Sequence, residues 1–116
     1  MRPDDAGRLQ HMIDAAEDML RFVAGRSRGD LDSDRLLLYA LVRALEVFGE
    51  AAGQLSAELR RSAPEIPRIT IISMRNRLIH GYADVDAKIV WRTVTEDVPP
   101  LLDALRALRA QGGEAS

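Results

Sequence analysis

Apolar residues recur at steps of three and four along three separate stretches of this chain, and that period constrains its fold more than any other feature. The first stretch carries Leu9, Met12, Ile13, Ala16, Leu20 and Val23; the second carries Leu37, Leu41, Leu45, Phe48, Ala52 and Leu55. The last carries Ile89, Val90, Val94, Val98, Leu101, Leu105 and Leu108. A stripe repeating about every 3.6 residues buries one side of a helix, whereas a half-buried strand would alternate every second residue. The chain is 47% hydrophobic but only 4% aromatic, so its core is aliphatic, which suits packed helices. At 116 residues there is room for one core and not two. The expected fold is all-α: an antiparallel bundle of about four main helices in a single domain over residues 1–110. The tail 111–116 has nothing to bury and is expected to fray.

Helix boundaries follow from capping chemistry. Asp4 or Asp5 can cap the first helix, and Gly25 can stop it. A second helix is expected from about Asp32 or Ser33 to about Leu59, with Leu38, Val42 and Leu59 widening its apolar arc enough for a central helix or a dimer face. Gly49 and Gly53 lie four apart in it, which allows close backbone approach, and Glu50 between them reads as solvent-exposed. Pro64 and Pro67 bracket a turn. The run Ile69-Thr70-Ile71-Ile72 has strand propensity, but with no other strand to pair with, a short third helix from about Ile69 to His80 is the consistent reading. A fourth helix starts near Asp86 and should kink or restart at Pro99-Pro100, where backbone donors are missing.

Charge and composition exclude several functions. There is no cysteine, hence no disulfide, thiolate nucleophile or thiolate metal site, which fits a reducing cytoplasm. The charged start Met1-Arg2-Pro3-Asp4-Asp5 is unlike a secretory signal, and no stretch is apolar enough to span a bilayer. A formal net charge of −2 argues against a general nucleic-acid coat, yet Arg60, Arg61, Arg68, Arg75 and Arg77 make the middle of the chain basic. A metal site is not expected. His11 and His80 are the two histidines, they fall on different expected helices, and neither has carboxylates at ligand spacing. His11 reads as a surface helix residue.

Chemistry is concentrated in Met74-Arg75-Asn76-Arg77-Leu78-Ile79-His80-Gly81-Tyr82. On an ideal helix at about 100° per residue, Asn76 and His80 lie about 40° apart, but Arg75 and His80 lie about 140° apart. One copy therefore converges poorly, and arginine's reach or a second subunit is needed. These residue types suit phosphodiester cleavage. Histidine, with an ordinary pKa near 6.5, can take a proton from a ribose 2′-hydroxyl or give one to the leaving oxygen. Arginine's planar fork can hold the phosphate, and the asparagine amide can orient either partner. The plain structural alternative is a helix end, with His80 on exposed carbonyls, Gly81 as the stop, solvated arginines and a half-buried Tyr82.

The string from Met74 to Tyr82, followed by Val85-Asp86 and Val90-Trp91, resembles the HepT-type branch of the HEPN superfamily. Flanking blocks occur in the same order: Gly49-Glu50-Ala51, then Pro64-Glu65-Ile66-Pro67, and after the motif Thr95-Glu96-Asp97-Val98-Pro99-Pro100-Leu101-Leu102. The likeness runs from Leu9 to about Leu108. The family motif is an arginine, four residues, a histidine, one residue and a tyrosine, met here by Arg75, His80 and Tyr82.

The resemblance implies a HEPN-type homodimer that brings two motif copies to a shared cleft and acts as a metal-independent RNase toxin. It implies Arg75, His80 and Asn76 as the catalytic set and no resident cofactor. It further implies a minimal nucleotidyltransferase antitoxin that transfers AMP from ATP to Tyr82, placing a nucleotide beside Arg75 and His80 and blocking RNA. The alternative of another class is a non-catalytic binding module that partners a nucleotidyltransferase.

Overall fold

The computed structural model describes residues 1–64, 66, 71 and 86–114, and the side chains of those up to residue 111. These residues form six α-helices and one π turn, with no strand among the described residues. They are α1 (Pro3–Val23), α2 (Asp30–Ser33), α3 (Arg35–Gly53), α4 (Ala57–Ser62), α5 (Ala87–Arg92) and α6 (Val98–Glu114); the π turn, Thr93–Asp97, joins the last two. The all-α expectation is met. The third helix expected over Ile69–His80, and Pro67 of the expected turn, lie outside the described residues apart from Ile71.

The core forms where the three apolar stripes meet. α1 contributes Leu9, Met12, Ile13, Ala16 and Met19, and α3 contributes Leu37, Leu41, Leu45, Phe48 and Ala52. Val90, Val94, Val98, Leu102, Leu105 and Leu108 close the third side. α1 packs along both α3 and α6, so among the described residues α1 is the helix lying between the other two. Two hydrogen bonds fix the direction of the α1–α3 pair as antiparallel, because Arg8 and Asp5 near the start of α1 reach Gln54 and Ser56 just past the end of α3.

Several boundaries differ from the sequence expectation. Neither Asp4 nor Asp5 caps α1: the cap position is Arg2, with no side-chain bond, and Pro3 occupies the first helical turn, where a missing N–H costs nothing. Asp5 is instead buried and accepts hydrogen bonds from the Ser56 backbone N–H at 2.9 Å and the Ser56 hydroxyl at 2.6 Å. Gly25 does adopt the left-handed conformation at φ 72°, one residue beyond the Ala24 cap, so glycine is required there.

The expected second helix is three helices. Asp34, extended at φ −117°, ends α2 and caps α3 by accepting from the Leu37 N–H at 3.1 Å. At the other end, the Gln54 and Leu55 N–H groups bond three residues back and tighten the last turn. Ser56 then leaves the helical region at ψ 155° and accepts from the Leu59 N–H at 3.1 Å, starting α4.

In the last helical stretch Asp86 caps α5 as expected, accepting from the Lys88 N–H at 2.9 Å. The interruption falls one turn ahead of Pro99-Pro100. Neither proline can donate back to the preceding turn, and each ring crowds the carbonyl four residues earlier. The helix widens before reaching them: the Val98 N–H bonds the Thr93 carbonyl, five residues back, and the Thr95 hydroxyl donates to the Trp91 carbonyl at 2.8 Å. α6 continues to Glu114, four residues into the expected tail.

Candidate functional site

The residues singled out by sequence, Arg75, Asn76, His80 and Tyr82, lie outside the described residues, as do Arg68 and Arg77. What the structure supplies is the frame that holds the two ends of their segment. On the near side, α4 is followed by Ala63 and Ile66, both buried, and by Ile71, which is 1% exposed and belongs to the common core. On the far side, Asp86 fixes the start of α5.

These two ends stand at opposite ends of the bundle. α4 follows the C-terminal end of α3, while α5 packs against α2, which abuts the N-terminal end of α3. Over its 19 residues α3 is about 28 Å long. The motif-bearing segment therefore connects the α4 end to the α5 end.

Charge is distributed unevenly over this frame. Arg21, Arg26, Arg28, Arg43 and Arg106 are each ion-paired with an aspartate or glutamate. The densest cluster lies at the α1–α2 turn, where Arg26 donates to Asp34 at 2.9 Å and to Asp30 at 3.3 Å, and the Ser27 N–H donates to Asp30 at 2.7 Å. The Ser27 hydrogen bond leads in holding the Asp30 carboxyl below the ordinary aspartate range, and the Arg26 guanidinium does so for Asp34. The two carboxylates in turn raise Arg26.

Around the motif segment the pattern reverses. Arg60 and Arg61 on α4, and Lys88 and Arg92 on α5, are exposed, and their side chains have no ion-pair or hydrogen-bond partner among the described residues. Sequence reading included Arg60 and Arg61 in the basic middle but passed over Lys88 and Arg92. The available signal was their i,i+4 spacing, which puts both on one face of α5.

A concavity lies on the outer side of the α1–α3 pair. It has a volume of about 420 Å³ and is lined by Ala15, Phe22, Ala40, Ala44 and Val47, with His11 and Arg43 at its polar edge. His11 is exposed, as expected of a surface helix residue, and Glu50 is exposed as well. Among the described residues no three histidine, aspartate or glutamate side chains are grouped closely enough to hold a metal ion.

The profile of the family described as ribonuclease HepT-like matches residues 12–108. The chain belongs to the HepT-like family. The matched range takes in the core stripes from Met12 onward and the whole Met74–Tyr82 string, so the resemblance carried by that string is borne out. Among similar proteins, one from Thermococcus cleftensis named "Probable ribonuclease HepT" is 36% identical over 101 residues, covering 87% of this chain and 92% of its own. A candidate RNase of Caldanaerobacter subterraneus subsp. tengcongensis is 37% identical over 93 residues, covering 80% of this chain and 83% of its own. A candidate RNase of Methanocaldococcus jannaschii is 31% identical over 93 residues, covering 80% and 85%. No solved structure matches this HepT-like chain. Among its described residues, no helix is long and apolar enough to cross a membrane.

Proposed function

We propose that this HepT-like protein is a metal-independent endoribonuclease toxin of the cytoplasm, acting as a homodimer. The observation that carries the reading is the family match over residues 12–108, within which Arg75, His80 and Tyr82 satisfy the arginine, histidine and tyrosine spacing. In the proposed reaction His80 removes the proton from a ribose 2′-hydroxyl. The freed oxygen attacks the adjacent phosphorus, and the bond to the 5′-oxygen breaks as that oxygen takes a proton from a second histidine or from water. Arg75 stabilises the charge that builds on the phosphoryl oxygens, and Asn76 orients the reacting groups.

Two copies of the motif at a shared cleft remove the 140° problem that one helix faces. Exposed apolar residues on and beside α3, namely Leu36 at 80%, Tyr39 at 50% and Phe22 at 38%, support a partner surface on the side of α3 turned away from the core. Control comes from a minimal nucleotidyltransferase antitoxin. The Tyr82 phenolic oxygen attacks the α-phosphorus of ATP, pyrophosphate leaves, and the bound AMP occupies the phosphate site.

The test is cleavage of RNA by the purified protein in the presence of a chelator. Wild type is expected to cleave, and His80→Ala and Arg75→Ala are expected to lose at least 100-fold in rate. Absence of cleavage by wild type, or equal cleavage by the variants, overturns the assignment in favour of the non-catalytic binding module.

A further inference from the structure

The cations without partners mark the approach to the motif segment from both directions. Elsewhere on the described surface most arginines are engaged, by carboxylates at Arg2, Arg21, Arg26, Arg28, Arg43 and Arg106 and by neutral acceptors at Arg8 with Gln54 and Arg35 with Tyr39. Arg60 and Arg61 precede the segment and Lys88 and Arg92 follow it, all exposed and all without a side-chain partner among the described residues. The carboxylates nearest in sequence are otherwise engaged or out of pairing range: Glu58 faces Arg2, Asp86 caps α5, and Glu96 and Asp97 make no ion pair to Arg92 among the described residues.

At the α4 end the site is built against the core. Arg60 lines a small hollow with Leu59, Ala63, Ile66 and Leu108. At the α5 end Lys88 and Arg92 share one helix face. The two groups lie toward opposite ends of α3.

We propose that these two cation groups are backbone-phosphate anchors for single-stranded RNA, with Arg60 and Arg61 holding the strand on one side of the cleavage motif and Lys88 and Arg92 on the other. This deepens the ribonuclease reading and rests on it. Anchors remote from the scissile bond spend their binding energy on placing the strand, so a long substrate is held in register while the motif does the chemistry. Contacts of this kind carry little base preference, because phosphate positions a strand without reading its sequence.

The experiment measures binding of a single-stranded RNA oligonucleotide from 50 to 200 mM salt, on a His80→Ala background that leaves the RNA intact. Each phosphate contact on a single strand contributes about 0.7 to the slope of log affinity against log salt. Arg60→Gln/Arg61→Gln and Lys88→Gln/Arg92→Gln are each expected to lower that slope by about 1.4, so that affinity falls about sevenfold less across this range than in the parent. Arg21→Gln/Arg28→Gln, whose arginines are already ion-paired, is expected to leave the slope unchanged. Absence of salt-dependent RNA binding by the parent, an unchanged slope in either flank variant, or an equal loss in the control pair overturns the proposal. Failure of the ribonuclease reading appears separately, as absence of cleavage by wild type.

Discussion

Asp5 and Ser56, 51 positions apart, are joined by two hydrogen bonds to one carboxylate, from the Ser56 backbone at 2.9 Å and from its hydroxyl at 2.6 Å. The Ser56 oxygen also accepts from the Leu59 N–H, so one serine both starts α4 and ties it to α1. This link holds the α4 end of the bundle, from which the chain runs toward the motif. Asp5→Ala leaves two donors without their acceptor and is expected to destabilise by about 2–3 kcal/mol, lowering the melting temperature on the order of 10 °C. Ser56→Ala loses the cap as well as the hydroxyl bond and should cost about 1–2 kcal/mol. Because the two residues act on each other, a double-mutant cycle by urea denaturation should return a coupling of about 1–2 kcal/mol; strict additivity would show that the link is not stabilising.

Phe48 and Leu36 lie on the same helix at opposite extremes of burial, 0% and 80% exposed. Phe48→Ala opens a cavity in the core and is expected to cost about 3–5 kcal/mol. Leu36→Ala should change monomer stability by less than about 0.5 kcal/mol. If the outer side of α3 is the dimer surface, Leu36→Asp should instead weaken self-association in sedimentation equilibrium while leaving the circular dichroism spectrum intact. An unchanged dissociation constant would place the dimer interface elsewhere.

The stripes were legible because helical period and burial are the same physical fact: Leu9, Met12, Leu37, Leu41, Leu45 and Phe48 were expected inside and are inside. What could not be read were interactions set by residues distant in sequence. Nothing local to Ser56 shows that Asp5 waits 51 positions away, so a serine inside an apolar pattern passed as part of one long helix. In the last stretch Val90, Val94, Val98, Leu105 and Leu108 are buried as expected, but Leu102 is buried where Leu101 was expected, with Leu101 only half-buried, and Ile89 is 39% exposed. At the site, Arg75, Asn76, His80 and Tyr82 were found by residue type and spacing. Lys88 and Arg92 were not, because a free cation is recognised only once the partners of all the others are known.

The Arg26 cluster gives the acid side of the stability curve a defined contribution. Asp30 and Asp34 are held below the ordinary aspartate value of 3.8, so their stabilisation is present in full above that pH and is lost as pH falls through their lower folded values. The main cause differs between them. For Asp34 it is the Arg26 hydrogen bond; for Asp30 it is the Ser27 backbone N–H. Arg26→Gln should therefore raise the Asp34 titration midpoint toward 3.8 more than that of Asp30, as followed by carboxyl carbon chemical shifts. Equal movement of both would assign the effect to general charge and not to the Arg26–Asp34 bond.

The Thr95 hydroxyl closes the turn that the prolines cannot. Pro99 and Pro100 remove two donors ahead of it, the Val98 N–H reaches back five residues to Thr93, and Thr95 gives its hydroxyl to the Trp91 carbonyl at 2.8 Å. Thr95→Val keeps the β-branched shape but deletes the donor, so it isolates the hydrogen bond from the packing. The expected loss is about 1 kcal/mol, and Thr95→Ser, which keeps the hydroxyl, should recover most of it. Hydrogen exchange adds the positional readout: in Thr95→Val the amides of residues 95–98 should exchange faster while those of α1 and α3 keep their protection. A uniform rise across the whole chain would mean that the side chain acts through global stability and that the turn is held by its backbone alone.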